Sequence, residues 1–147
     1  MKYRDAVTND IEQIEFLLKE CDLHSNDIVE HIDSFVVAEQ DNKIVGVGGF
    51  EQHGEIVLLR SLSVAQEFRR NAIGKSMCQL LESKIRRAGI KELYLLTETA
   101  TDYFKKLGFT IQERTDVPEA VMQTRQVKEL CSSEAIVMFY ELDINNV

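Results

Sequence analysis

Tryptophan is absent from the 147-residue sequence, and proline occurs only once, at Pro118. No proline-, glycine- or serine-rich stretch and no internal repeat interrupts the chain, so nothing in it is typical of a linker between domains. A chain of this length can bury a sizeable hydrophobic core. We therefore predict a single domain over residues 1–147.

Cysteine is also scarce. Cys21, Cys78 and Cys131 are odd in number and widely spaced, and they form no C-x-x-C pair. This pattern excludes the disulfide framework of a small secreted domain and favours reduced thiols in a cytoplasmic protein. The three histidines have no metal-ligand spacing to these cysteines, so we expect no metal site.

The sequence lacks both a long apolar run and an excess of positive charge. No apolar run approaches 18 residues, and the first ten residues do not have the pattern of a signal peptide, so we expect a cytoplasmic protein without a membrane span. Acidic residues outnumber basic ones by 25 to 17, which gives a net charge of −8. Such a protein is a poor candidate for nonspecific nucleic-acid binding through a broad basic face.

Apolar periodicity predicts a mixed α/β architecture. Antiparallel hairpins come first, with a turn at Asp41-Asn42, followed by a strand–helix–strand crossover, a helix and two closing strands. The predicted strands are Lys2–Ala6, Phe35–Gln40, Lys43–Phe50, Glu55–Val64, Lys91–Thr97, Phe109–Glu113 and Ala135–Leu142. The predicted helices run from Thr8 or Asn9 to about Cys21, from Ser25 to Ile32, from Gly74 to Ala88, from Thr99 or Thr101 to before Gly108, and from Pro118 to about Leu130.

The segment from Leu58 to Met77 is the most informative part of the chain. A strand-like run leads into a short basic loop, which opens at Ala72-Ile73-Gly74 directly into an apolar-periodic helix. The first turn of a helix has unpaired N–H groups and a partial positive charge, so it attracts anions. A di- or triphosphorylated ligand suits this site, and the alternative is an ordinary loop with solvated arginines. The cations that accompany the helix start are Arg69, Arg70 and Lys75.

This loop resembles the acyl-CoA-binding motif R/Q-x-x-G-x-G/A of the GNAT (Gcn5-related) N-acetyltransferases, and it reads Arg69-x-x-Ala72-x-Gly74. The segment at 62–64, LSV, is similar to the family's L-x-V strand end, and YFKKLGF at 103–109 is similar to its FY-x-x-x-GF signature. Alanine stands at position 72 where the family usually has glycine; it resists a positive φ and is tolerated at a negative one. The resemblance implies these cofactor-binding residues: Leu62, Ser63, Val64, Arg69, Arg70, Asn71, Ala72, Ile73, Gly74, Lys75, Ser76 and Phe104.

The resemblance also implies a fold and a reaction. The fold is a single GNAT domain whose central mixed sheet, of about six to seven strands, is splayed and flanked by helices. The pantetheine arm of acetyl-CoA would enter the gap and pair with the backbone near Leu62 and Val64, whose side chains we expect in the core. An acceptor amine would then attack the thioester directly in a ternary complex.

The positions that carry the catalytic acid and base in many GNAT enzymes hold apolar residues in this sequence. Phe104 stands at the position of the usual tyrosine acid, and Leu58 at the position of a glutamate base. Tyr103 is a candidate acid, with an aromatic of the core or cleft wall as the alternative. Glu98 follows a buried strand directly and is a candidate base, with a solvated loop acid as the alternative.

Arg60 stands in a strand that is otherwise rich in leucine. A charged residue in such a strand is rarely buried without a partner. One interpretation is a fork that binds a carboxylate or related oxyanion of the acceptor; the other is a structural ion pair with Glu51 or Glu98. Arg114 and Arg125 flank the segment predicted to cover the acceptor, and each is a candidate for anion binding or for the surface.

Several further segments are similar to the N-acetyltransferases associated with arsenic-resistance operons: LLRSLSV, YLLTETATDYF, VPEAV-x-x-TRQ and ELCSSEA. This branch implies a small amino-acid-like acceptor, including an amino acid with an arsonous or phosphinic group. Two alternatives stay open: acetylation of a protein N-terminal amine, and a non-catalytic acyl-CoA sensor. We expect a small-molecule amine as partner, no nucleic acid, no membrane, and a monomer or homodimer.

Overall fold

The computed structural model describes residues 1–21, 23, 25, 27–69, 72–124 and 135–142. None of the helices in this part of the chain is long and apolar enough to cross a membrane. The strands are β1 (Lys2–Asp5), β2 (Phe35–Gln40), β3 (Lys43–His53), β4 (Ile56–Val64), β5 (Glu92–Thr97), β6 (Thr110–Gln112) and β7 (Ile136–Glu141). The helices are α1 (Ile11–Glu20), α2 (Ile28–His31), α3 (Ile73–Arg87), α4 (Thr101–Lys106) and α5 (Glu119–Met122).

The strands form a seven-stranded sheet in the order β1-β2-β3-β4-β5-β7-β6. The pairs β1–β2, β2–β3, β5–β7 and β6–β7 are antiparallel, whereas β4 and β5 are parallel. The predicted mixed α/β sheet of six to seven strands is therefore confirmed. The predicted turn is also present: Asp41 and Asn42 have φ values of 53° and 65°, which suit a tight hairpin turn.

Two helices are shorter in the structure than the sequence predicts. The helix predicted from Ser25 to Ile32 is reduced to α2, which continues into a 3-10 turn at Ile32–Ser34. The helix predicted to reach about Leu130 ends at Met122 instead. Two residues later the Thr124 hydroxyl donates to the Val121 carbonyl at 2.7 Å, and such local side-chain bonds compete with helix continuation. Residues 125–134 lie outside the described part.

The chain divides into two compact units. The first contains Met1–Glu51 and Arg60–Lys84, and the second contains Gln52–Leu59 and the residues from Ile85 onward. The single domain over residues 1–147 stays a prediction.

Glycines in β3 allow close packing in the first unit. A Cβ atom at Gly46 would lie 2.8 Å from Met77 Sδ, and one at Gly48 would lie 3.1 Å from Leu81 Cδ1. Met77 and Leu81 belong to α3, so a larger residue on this face of β3 would push the helix outward. The glycines thus fix the position of α3, whose first turn is the predicted anion site.

Gly49→Ala is expected to destabilise the protein by about 1–3 kcal/mol through overpacking. The new Cβ atom would lie 2.7 to 2.8 Å from three ring atoms of Phe35, which is fully buried. A ring in a filled core cannot move aside as the flexible end of Met77 can, so Gly46→Ala is the matched control with a smaller expected loss. Urea unfolding of both variants checks this, and equal losses would contradict it.

The second unit is built around β5, which pairs with the start of β4 from Ile56 to Leu58 and with β7 along its whole length. Leu58 is fully buried in the core of this unit. Its side chain has no ionisable group, so this position supplies neither an acid nor a base. The buried core cluster comprises Ile56, Leu58, Tyr94, Val117, Val121 and Val137.

Candidate functional site

Ser61, in the interior of β4, has a φ of 61°. This left-handed conformation is uncommon for a residue other than glycine and costs about 1–2 kcal/mol. Such strained positions persist where the surrounding structure holds them, often at functional sites. In the neighbouring residue, the Arg60 Nε–H donates to the Ser61 hydroxyl at 3.3 Å.

The Arg60 guanidinium is engaged by two protein carboxylates. Nη1 donates to Asp27 Oδ2 at 2.6 Å and to Glu51 Oε1 at 2.8 Å, and Nη2 donates to Asp27 Oδ1. The three residues are only 2 to 6% exposed. The Arg60 guanidinium also lies over the Phe35 ring, with its carbon 5.8 Å from the ring centroid. The structural ion pair with Glu51, one of the two predicted alternatives, is present.

These contacts bear directly on the predicted role of Arg60 in acceptor binding. An acceptor carboxylate would have to displace a protein carboxylate that already makes short, charge-assisted hydrogen bonds. Burial opposes the charge of both Arg60 and Asp27. Their hydrogen bonds and mutual attraction outweigh it, so the pKa of Arg60 is raised and that of Asp27 is lowered. The geometry therefore favours the structural alternative.

His31 lies beside the same two carboxylates. Its Nε2 is 3.3 Å from Glu51 Oε1 and 3.8 Å from Asp27 Oδ2, and its side chain is 32% exposed. Donor atoms of Asp27, His31 and Glu51 lie within 4.8 Å of one another, as in a metal site. However, Arg60 Nη1 bridges the two carboxylates and already supplies the cation. We name these four residues the Arg60 cluster.

Sequence reasoning missed two members of the Arg60 cluster. Asp27 and Arg60 are 33 residues apart, and no motif connects them. His31 stands in a polar segment without ligand spacing. Only the buried arginine signalled that partners were needed, and it could not identify Asp27.

The basic loop and the start of α3 have the features that anion binding needs. Ala72 has a φ of 60°, and its carbonyl accepts the Ser76 N–H at 3.1 Å, so it caps the helix. The Arg69 and Lys75 side chains are exposed. Arg69 Nε donates to the Val64 carbonyl at 3.0 Å, and Nη2 lies 3.7 Å from Cys21 Sγ. Arg70 and Asn71 lie outside the described residues.

The φ of Ala72 is positive, which is the conformation that alanine resists. Alanine is in the conformation that glycine adopts freely, so it is strained there. Ala72→Gly is therefore expected to raise the free energy of unfolding by up to about 1 kcal/mol, since left-handed alanine costs about 1–2 kcal/mol and glycine loses more entropy on folding. Urea unfolding checks this, with Ala88→Gly, at the exposed residue just after α3, as control. An equal or lower stability for Ala72→Gly would contradict it.

The strand end at 62–64 is less buried than predicted. Leu62 and Val64 are half-buried, whereas we expected core side chains. Ser63 is buried, and its Oγ has no hydrogen-bond partner among the described residues. The Val64 carbonyl already accepts from Arg69, so pantetheine pairing there would share or replace that bond.

The candidate acid and base belong to the second unit. Tyr103, on α4, is 41% exposed, so it is not a core residue. The Phe104 ring lies between the rings of Tyr103 and Phe109, with centroid distances of 5.3 and 5.7 Å. Glu98 is exposed just after β5. Arg114 Nη2 donates to the Ala135 carbonyl at 2.7 Å. The acceptor candidate Arg125 lies outside the described residues.

Comparison with known proteins finds some that are similar to this chain in sequence and others that are similar in fold. A family model described as an acetyltransferase (GNAT) domain matches residues 31–111. An uncharacterized N-acetyltransferase of Chlorobaculum tepidum is 28% identical over 64% of this chain and 61% of its own. An amino-acid acetyltransferase of Serratia proteamaculans is 28% identical over 59% of this chain, but over only 20% of its own length. The chain thus spans less than two thirds of these relatives.

Two solved structures have the same fold. The N-acetylglutamate synthase of Neisseria gonorrhoeae, complexed with coenzyme A and N-acetyl-glutamate, superposes with a TM-score of 0.84 at 20% identity, covering 97% of this chain and 35% of that one. A Mycobacterium tuberculosis protein, Rv2747, in complex with CoA, gives a TM-score of 0.83 at 21% identity over 97% of this chain and all of its own. At these identities the likeness establishes the fold.

Proposed function

Because this chain belongs to the GNAT acetyltransferase family, we propose that it transfers an acetyl group from acetyl-CoA to the amine of a small, amino-acid-like acceptor. The acceptor nitrogen attacks the thioester carbonyl in a ternary complex. A C–N bond forms, the C–S bond breaks, and CoA leaves as a thiolate that then takes up a proton. The amine must be neutral to attack, so its ammonium form first loses a proton.

The observation that carries this proposal is the basic loop before α3. Left-handed Ala72 turns the chain into the helix, and Arg69 and Lys75 are exposed on either side of that turn. The N–H groups of the first helical turn have no carbonyl partners within the helix, so they suit the pyrophosphate of CoA. Each charge-assisted hydrogen bond to phosphate contributes roughly 1.5–3 kcal/mol.

The amino-acid-like acceptor rests on two kinds of resemblance. Relatives include proteins named amino-acid acetyltransferases, and one structural relative was solved with N-acetyl-glutamate. The resemblance of several segments to the arsenic-resistance branch extends the proposal to amino acids with arsonous or phosphinic groups. Arg125 remains the proposed contact for the acceptor's anion, because Arg60 is engaged by Asp27 and Glu51.

A non-catalytic acyl-CoA sensor is the second candidate. It is favoured by Phe104 at the usual position of the acid and by fully buried Leu58 at the position of the base. CoA release with a panel of amines separates the two. Acetyl transfer to amino acids, with little transfer to peptides, supports the enzyme. CoA binding without amine-dependent thiol release would support the sensor instead.

A further inference from the structure

We propose that His31 accepts the proton from the acceptor's ammonium group, with Glu51 as its orienting partner. This inference rests on the proposed acetyl transfer, which requires a base. Position 58 cannot provide one, because it holds a fully buried leucine. A histidine is suited to the task because an imidazole ring has two nitrogens, and one can hold a proton while the other accepts one.

The geometry at His31 is that of a base with an orienting carboxylate. His31 is the last residue of α2, and its Nε2 lies 3.3 Å from Glu51 Oε1. A carboxylate at this distance favours the tautomer with its proton on Nε2 and leaves the lone pair of Nδ1 available for a proton.

The Arg60 cluster holds this pair in place. Arg60 donates to both Glu51 and Asp27, and all three residues are buried. The His31 side chain, at 32% exposure, is the accessible edge of the cluster, so a substrate can reach the imidazole while the groups behind it stay fixed.

The two carboxylates that the guanidinium bridges lie at one edge of the imidazole, at Nε2–oxygen separations of 3.3 Å for Glu51 and 3.8 Å for Asp27. The cluster is also close to the predicted thioester along β4. Arg60 precedes Leu62 by two residues, or about 7 Å of strand, and the pantetheine is proposed to pair at Leu62.

His31→Gln tests the inference, because glutamine keeps a polar side chain beside Glu51 but cannot accept the proton. We expect kcat/KM for the acceptor to fall roughly 10²- to 10⁴-fold, with the CoA affinity and thermal midpoint of the wild type. The loss should shrink as the pH rises towards the pKa of the acceptor's amine, because more of the amine is then already neutral. Imidazole added to His31→Ala should restore part of the rate. His53→Gln, at the end of β3, is the matched control.

Two results would overturn the inference. One is wild-type activity and an unchanged pH profile in His31→Gln. The other is a loss of activity that follows a lowered thermal midpoint and is not relieved by high pH or by imidazole, as a structural role predicts. If the wild type itself binds CoA but acetylates no amine, the proposed function fails along with this inference, so the two failures are distinguishable.

Discussion

Arg60→Leu is expected to lower the free energy of unfolding by about 3–5 kcal/mol at pH 7. The substitution would leave the carboxylates of Asp27 and Glu51 buried, at 2% and 5% exposure, without the positively charged guanidinium that donates hydrogen bonds to both. The loss should depend on pH. In the wild type, burial raises the pKa of Asp27, but the contacts with Arg60 lower it by more, so the net pKa lies below its ordinary value. The stability that ionised Asp27 contributes is therefore present at neutral pH and is lost as the pH falls through this lowered pKa.

Without Arg60, burial is the largest remaining influence on the pKa of Asp27 and raises it, against smaller lowering contributions from His31 and a backbone hydrogen bond. The stability difference between variant and wild type should therefore shrink as the pH falls from 7 to 4. Urea unfolding at several pH values measures this. Adding Asp27→Asn and Glu51→Gln to Arg60→Leu should recover part of the loss, because neutral amides leave no uncompensated charge. A stability within about 1 kcal/mol of the wild type would contradict a structural ion pair. A changed acceptor preference at full stability would instead support the acceptor-binding role predicted from sequence.

Gly74→Val is expected to abolish detectable CoA binding with only a modest loss of stability. Gly74 is buried in the first turn of α3, where the backbone is proposed to approach the pyrophosphate. A β-branched side chain there would crowd the ligand, whereas the cost within the helix is small because valine is a somewhat better helix former than glycine.

Isothermal titration with CoA, together with circular dichroism of the folded variant, measures both effects. Ser83→Val, a partly buried residue of the same helix far from its first turn, is the matched control and should bind CoA normally. Normal CoA binding by Gly74→Val would place the phosphates elsewhere.

Elements governed by local sequence were predicted well. Asp41-Asn42 forms the hairpin turn because both residues tolerate positive φ, and short apolar runs bounded by turn residues identified seven strands. The helix predicted from Pro118 to about Leu130 is interrupted after Met122, where the Thr124 hydroxyl donates to the Val121 carbonyl, and residues 125–130 of that prediction lie outside the described part. The helix predicted from Ser25 begins only at Ile28, and its last predicted residue, Ile32, belongs to the 3-10 turn that precedes β2.

The site was predicted less completely than the fold. The motif around Ala72 and Gly74 located the basic loop, because consecutive residues carry that signal. The partners of Arg60 come from chain segments that only tertiary folding brings together, so Asp27 and His31 could not be found by spacing. The sign of φ at Ala72 was equally out of reach, since one sequence does not show how a loop enters its helix.

The proposal that CoA binds at the basic loop is tested most directly by titrating CoA into the wild type, Arg69→Ala/Arg70→Ala and Arg87→Ala. Arg87 is an exposed arginine at the opposite end of α3 and controls for loss of positive charge alone. We expect one CoA per chain, with an affinity at least tenfold weaker in the double variant, since each lost bond to phosphate is worth roughly 1.5–3 kcal/mol, and unchanged in Arg87→Ala. Equal affinities for all three proteins, or no binding by the wild type, would contradict the assignment.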